Sequence, residues 1–238
     1  MTATKIGTRE EWLDASRALL LREKELTHLR DELSAARRSL PWVPVETAYK
    51  FETESGTQTL AELFGHRSQL AVYHFMYGPD WDAGCPSYSF WMDNLNGVQD
   101  HLAHRDVTLV AISRAPLALL LAYRERMGWT VPFVSSFAST FNIDFHVSFP
   151  TDAPGEAAMF NFAPIDDSPE EHAGLSAFIL DHDQVFHTYS TFSRGLDGFN
   201  GAYQVLDLMP KGRDEATLEW SMAWLHRHDE YDTDGRGL

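Results

Sequence analysis

The stretch from Gln69 to Asn96, QLAVYHFMYGPDWDAGCPSYSFWMDNLN, places the narrowest limits on how this chain can fold. Leu70 to Met76 form a short apolar run, aromatic and β-branched, of the length expected for a buried strand. Gly78-Pro79-Asp80 then breaks the pattern, as glycine and proline do in loops. Cys85, the sole cysteine, follows Gly84 and precedes Pro86, a residue favoured at the first helical position because its missing N–H has no partner there anyway. Beyond it Phe90, Trp91, Leu95 and Val98 recur at helical spacing. A strand, a loop, Cys-Pro and a helix together set a thiol at a helix N-terminus. Unpaired N–H groups and the helix dipole favour a thiolate there, which lowers a cysteine pKa by one to several units from about 8.5. The alternative is an inert, buried cysteine, since free Cys is among the residues most often buried.

Around this unit the chain alternates. Thr8 and Glu11 form a capping box, and Trp12, Leu19, Leu26 and Leu33 recur every seven residues, with Leu20 and Leu29 widening the stripe. This predicts a long amphipathic helix to about Arg38 that packs on its own domain; pairing between two protomers in a homodimer is the alternative, opposed by Arg22 in the other seam. Pro41-Trp42-Val43-Pro44 is an extended connector, and Tyr49 to Glu52 alternate like a half-buried strand. Leu60 to Phe64 suit a short helical turn. Val107 to Ile112 read as a central parallel strand, Leu117 to Met127 as a helix closed by Gly128, and Pro132 to Ser136 as a third strand. Strands alternating with helices imply βαβ units, which bring Cys85 and Arg114 to one carboxyl edge of a sheet, where open α/β sheets bind ligands. Residues 137–174, rich in Phe, Pro and Asp, read as an insertion packed over that edge. Leu175 to Leu180 and Val185 to Tyr189 form a hairpin, a helix runs from Gly198 to Met209, and the C-terminal tail ends in a frayed Asp/Gly stretch. The resulting division is an N-terminal helix (1–40), a main domain (41–210) and a tail (211–238).

Composition bears on function mainly by exclusion. At 238 residues the chain is long enough for one substantial core, and 44% apolar with 23% charged residues suits a globular protein. A formal net charge of −16 opposes binding to nucleic acid or anionic lipid. No window approaches the roughly 18 apolar residues of a membrane span, and the first residues lack the apolar core of a secretory signal. One cysteine excludes an internal disulfide framework, and a reducing cytoplasm is the expected location. A Gly-rich phosphate loop and a Gly-x-Ser-x-Gly nucleophile elbow are both missing.

A parallel βαβ core with a cysteine at a helix start, then a hairpin and a helix, is the thioredoxin-like arrangement. The runs REEWLDASRALLLREKELTHLRDEL, LPWVPVE, YHFMYGPDWDAGCPS, LVAISRAPLA, FHVSF, HTYSTFSRG and HDEY resemble a bacterial family of thioredoxin-like domains of unknown function, often labelled predicted dithiol-disulfide oxidoreductases. The resemblance spans almost the whole chain. It implies an α/β fold with a thioredoxin-like mixed sheet flanked by helices, extended at both ends and closer to peroxiredoxins than to minimal thioredoxins. Members of that family often carry Cys-Pro-x-Cys; here Tyr88 stands in the second position, so an intramolecular dithiol cycle has no resolving thiol. Peroxiredoxins hold Thr or Ser shortly before the reactive cysteine, where Asp82 stands here. They also hold an Arg before a strand like Phe178 to Asp181, where His172-Ala173-Gly174-Leu175 supplies none.

Three functions follow. The first is a one-cysteine oxidoreductase: the Cys85 thiolate attacks a small peroxide or a disulfide and an external thiol reductant resolves the product. Tyr77, Trp81 and Tyr88 would line the substrate pocket, Asp82 would stand close enough to raise the thiol pKa, and Arg114 would steady the anion. No cofactor is firmly implied. The second is a transition-metal enzyme built from His146, His226 and His228, with Cys85 completing a soft N/S set; alternate residues of an extended segment share a face. The third is a binding protein that keeps the fold without the chemistry.

Overall fold

The computed structural model describes residues 6–149, 159–165 and 170–231. The chain divides into two units, 1–41 and 42–238. In the first, the hydroxyl of Thr8 accepts from the Glu11 N–H at 3.2 Å while the Glu11 carboxylate accepts from the Thr8 N–H at 2.7 Å. This is the capping box expected from the sequence, and it opens α1 (Arg9–Arg38). No residue of α1 is buried, and Trp12, Leu19, Leu26, Leu29 and Leu33 are exposed along the heptad stripe.

The second unit begins with β1 (Val43–Pro44) and the hairpin β2 (Lys50–Thr53) and β3 (Gly56–Thr59). Next come β4 (Gln69–His74), α2 (Pro86–Leu95), α3 (Gln99–Ala103), β5 (Val107–Ser113) and α4 (Leu117–Arg126). After β6 (Phe133–Ser135) and α5 (Phe141–Asp144), a small separate hairpin pairs β7 (Met159–Phe160) with β8 (Ala163–Pro164). The long hairpin β9 (Gly174–Asp181) and β10 (Gln184–Phe192) precedes α6 (Gly201–Leu206). Eight strands form one mixed sheet in the order β1-β10-β9-β4-β5-β6-β2-β3. Parallel pairing is confined to β4–β5–β6; β9 runs antiparallel to β4, so the sheet is mixed. A strand, a helix and a parallel strand, then an antiparallel hairpin and a helix, give the thioredoxin-like order β5-β4-β9-β10 at the centre.

β4 has a neighbour on each side and a core on each face, which is why it is apolar from Leu70 to Tyr73 rather than alternating. Successive side chains point to opposite faces. Tyr73 and Phe75 join α2, α4 and α6 through Trp91, Met92, Leu120, Tyr123 and Tyr203. Leu70 and Val72 join a second core with Phe51, Phe64, Ile112, Phe141 and Phe178. Leu70, Val72 and Phe75 are at most 1% exposed, and each such burial contributes about 1.5–3 kcal/mol.

Two elements depart from the sequence reading. The helix expected from Gly198 to Met209 is broken: a 3-10 turn over Ser193–Phe199 precedes α6. Asn200 causes the break, because its backbone is extended and its side-chain oxygen accepts the Tyr203 N–H at 3.0 Å, starting a new helix there. The second departure concerns Arg114. It stands at the end of β5 as expected, but its guanidinium pairs at 3.0 Å with Glu171, in the segment expected as an insertion. Glu171 also accepts from the Ser148 hydroxyl across an isolated β-bridge, so the ion pair ties that segment to β5. The remainder of the insertion, 150–158 and 166–169, and the Asp/Gly end of the tail lie outside the described residues.

Burial pushes the Glu171 carboxyl up to about 7, against the opposing pull of Ser148 and Arg114. A carboxyl that binds its proton more tightly when folded adds stability below its ordinary value of 4.5, and this is lost as pH rises through about 7. Across that window Glu171→Gln should lose less thermal stability than the parent protein, as read by the melting midpoint against pH. Parallel profiles for the two proteins would contradict the buried, proton-holding state.

Candidate active site

Beyond β4 the backbone stays extended for one more residue, the Phe75 N–H donating to Ile112 at 2.8 Å. The loop that follows is pinned at both ends. At the first, the carbonyl of Tyr77 accepts from the Ser113 hydroxyl at 2.8 Å and from the Ala115 N–H at 3.1 Å. At the second, the Cys85 N–H donates to Met76 at 3.0 Å. Two glycines allow the tight path. A Cβ on Gly78 would stand 2.7 Å from the Trp81 indole, and one on Gly84 would stand 2.6 Å from the Phe75 ring and 2.8 Å from that of Tyr123.

Cys85 is the N-cap of α2 with Pro86 at the first helical position, as the sequence requires. The N–H groups of Ser87 and Tyr88 and the Ser87 hydroxyl face the sulfur and favour the thiolate, although the thiol makes no capping hydrogen bond in the strict geometric sense. Arg227 adds positive charge. Burial outweighs all of these and pushes the thiol pKa above its ordinary value. The sequence reading expected the helix N-terminus to lower it; half-buried against Tyr73 and Tyr88, the thiol loses more from desolvation than it gains from donors. The Tyr88 phenol is likewise pushed up to about 12, by burial first and then by Cys85.

A closed set of hydrogen bonds surrounds the cysteine. The Ser89 hydroxyl donates to the Cys85 carbonyl at 2.8 Å and meets the Tyr123 hydroxyl at 2.8 Å. Arg227 donates to that same Tyr123 oxygen at 3.0 Å and to the Gly84 carbonyl at 2.8 Å. The C-terminal segment carrying Arg227 is held by further pairs: Arg126 with Asp229 and Glu230 at 2.7 and 2.8 Å, Arg227 with Glu230 at 2.8 Å, and His228 with Asp93 at 2.7 Å.

The residues expected around the thiol are distributed as follows. Tyr88 is beside it, and its carbonyl accepts from the Tyr73 hydroxyl at 2.9 Å. Tyr77 is 2% exposed and braces the loop by donating to the Asp82 carbonyl at 3.3 Å. Asp82 acts electrostatically on Tyr77, and Trp81 packs partly buried across Gly78. Arg114 is occupied by Glu171, and the cation acting on the thiol is Arg227, which the sequence reading missed. It lies 143 positions after Gly84, and its one visible signal is an arginine between His226 and His228 in a segment otherwise read for its histidines.

Those histidines do not gather. His228 is bound to Asp93, His226 packs edge-on against Tyr231 at 5.6 Å, and His146 lines a cavity elsewhere with Phe145 and His187. Among the described residues no three His, Cys, Asp or Glu side chains converge as a metal-ligand set, so the expected His146, His226 and His228 group is not formed.

A family model matches residues 1–231, described as a bacterial protein of unknown function, DUF899. The chain belongs to that family. No curated protein matches it. Among solved structures it is similar to a cysteine-to-serine mutant of PrxQ from Xylella fastidiosa, at 12% identity over 66% of this chain and 88% of that one, with a TM-score of 0.43. Peroxidoxin BcpB from Mycobacterium tuberculosis matches at 12% identity over 71% and 97% of the two chains, TM-score 0.43. A Chlorobium tepidum protein named as thiol:disulfide interchange protein DsbE matches at 11% over 70% and 95%, TM-score 0.38. At such identities nothing about individual residues passes from those proteins to this one. Among the described residues, no helix is long and apolar enough to cross a membrane.

Two outcomes test the site as built. Gly84→Ala should cost about 1–3 kcal/mol in denaturant unfolding, because two packed rings must yield; an unchanged midpoint would contradict the close approach. Arg227→Gln should move the midpoint of Cys85 alkylation by iodoacetamide to higher pH, whereas an unmoved profile would remove Arg227 from the thiol's electrostatics.

Proposed function

We propose that this protein is a thiol-dependent oxidoreductase of the one-cysteine kind, with Cys85 as the reacting group. The observation that carries this reading is the convergence on one sulfur of the Ser87 and Tyr88 N–H groups, the Ser87 hydroxyl and the Arg227 charge. Donors and positive charge so arranged stabilise negative charge that develops at sulfur, and burial makes each of them count for more than it would in water. With a peroxide, the thiolate sulfur attacks one oxygen and the O–O bond breaks. The departing oxygen takes a proton and leaves as water or an alcohol. Cys85 becomes a sulfenic acid, oxidised by two electrons while the peroxide is reduced. Since Tyr88 replaces the second cysteine of Cys-Pro-x-Cys and the chain has no other, an external thiol must resolve this species. It forms a mixed disulfide with loss of water, and a second external thiol then releases Cys85 and departs as a disulfide.

The same burial favours a second reading, a binding protein in which the thiol is inert. Exposure to hydrogen peroxide followed by dimedone trapping and mass analysis separates the two. The oxidoreductase reading expects a dimedone adduct on Cys85, absent from Cys85→Ser. It also expects a rate that rises with pH to a midpoint above that of free cysteine, because the thiol pKa is raised. An adduct rate no faster than that of a short cysteine peptide at the same thiolate fraction would leave the binding reading standing alone.

A further inference from the structure

On the sheet face opposite Tyr73 and the Cys85 loop, a cavity of about 400 Å³ opens beside β10. Tyr49, Phe145, His187, Ser190 and Phe192 form its inner wall, and all of these are buried or partly buried. Glu46 and Asp144 stand at its exposed rim, and no lysine or arginine is among its described lining residues. The volume falls within the range of small-molecule sites, which pair apolar walls with a few placed polar groups.

The polar groups of the inner wall belong to a buried chain. His187 Nε2 meets the Ser190 hydroxyl at 2.8 Å, Ser190 meets Ser176 at 2.7 Å, and Ser176 meets Nε2 of His74 at 2.8 Å. These three contacts need three protons, and the two hydroxyls supply only one each. At least one imidazole supplies the third, and with one imidazole donating the chain runs in a single direction from one histidine to the other. His74 is fully buried and its Nδ1 has no partner among the described residues. A bare nitrogen lone pair is the milder orphan there, which makes His74 the donor and His187 Nε2 the final acceptor. In either direction Ser190 donates one bond and accepts one, and keeps a free lone pair on the wall of the cavity. At the rim, Oδ2 of Asp144 accepts from the hydroxyls of Tyr49 and Thr140 at 2.7 Å each, which leaves Oδ1 to accept. Burial lowers the pKa of His187, so the wall holds a neutral imidazole near neutral pH.

We propose that this cavity binds a protonated primary amine carried on an aromatic or aliphatic body. Its polar groups include three acceptors, the Ser190 lone pair, Asp144 Oδ1 and the Glu46 carboxylate, beside Thr47, His146 and Asn161, which can both donate and accept. Its apolar groups include the Tyr49 and Phe145 rings, whose faces attract cations. Carboxylates without compensating lysine or arginine repel organic anions, and the net charge of −16 acts in the same sense. A neutral ligand would fill the walls and leave the rim charges unused. This site is independent of the chemistry proposed for Cys85.

Titration calorimetry of the full chain with 2-phenylethylammonium, 2-phenylethanol and 3-phenylpropionate tests the assignment. The ammonium should bind saturably, more tightly than the alcohol, with the carboxylate weakest. In the double variant Glu46→Gln/Asp144→Asn, which keeps shape and hydrogen-bonding oxygens, ammonium affinity should fall roughly tenfold and alcohol affinity should hold. An unchanged melting midpoint and Cys85 alkylation rate would show the variant to be folded. The proposal is overturned if no probe saturates at millimolar concentration, if alcohol or carboxylate binds as tightly as the ammonium, or if the folded double variant binds the ammonium like the parent.

Discussion

The hydrogen bond from the Cys85 N–H to the Met76 carbonyl, at 3.0 Å, sets the geometry on which the rest of the site depends. It closes the loop after the central strand and fixes where α2 begins, and so where its unpaired N–H groups point. The bond forms because both of its ends are held independently. Met76 follows a strand buried on both faces, and Cys85 precedes a helix whose Trp91 and Met92 are in the same core as Tyr73 and Phe75. Gly84 supplies the remaining condition, since no side chain fits between Phe75 and Tyr123.

Enclosure of that kind has an electrostatic consequence. The packing that positions donors around the sulfur also removes water from it, and these two effects of one structure oppose each other. In the resting protein desolvation wins and the thiol keeps its proton. The donors are not thereby idle, because charge that appears at sulfur in a buried setting interacts with them more strongly than it would in solvent. A cysteine in this position resists ionisation in the ground state, and the donors around it oppose that resistance.

Local patterns in the sequence reported local structure well. The apolar run at Leu70–Met76, the Cys85-Pro86 helix start, the capping box at Thr8 and Glu11, and the long hairpin were all legible, because each depends on neighbours within a few residues. Legibility failed where the deciding partner is remote. Arg114 was placed correctly at the end of β5, but nothing near it in sequence announces Glu171. Arg227 gives no sign of its bonds to Gly84 and Tyr123. The sign of the thiol shift failed for the same reason: helix position is local, whereas the burial that reverses it comes from the fold as a whole. Asn200 is a different case, since a residue that caps helices so readily was visible within the expected helix and could have divided it.

Arg227 is itself secured in two ways of unequal strength. The pairs that fasten its segment, Arg126 with Asp229 and Glu230, have side chains between 31% and 40% exposed, and such pairs contribute about 0–1 kcal/mol each. The Arg227 side chain is only 17% exposed, and its bonds to the Gly84 carbonyl and the Tyr123 hydroxyl are charge-assisted, a stronger class. The arginine therefore holds the segment to the site more than the segment holds the arginine. Losing it would release the Gly84 carbonyl and the Tyr123 hydroxyl at once and remove the positive charge that acts on the thiol.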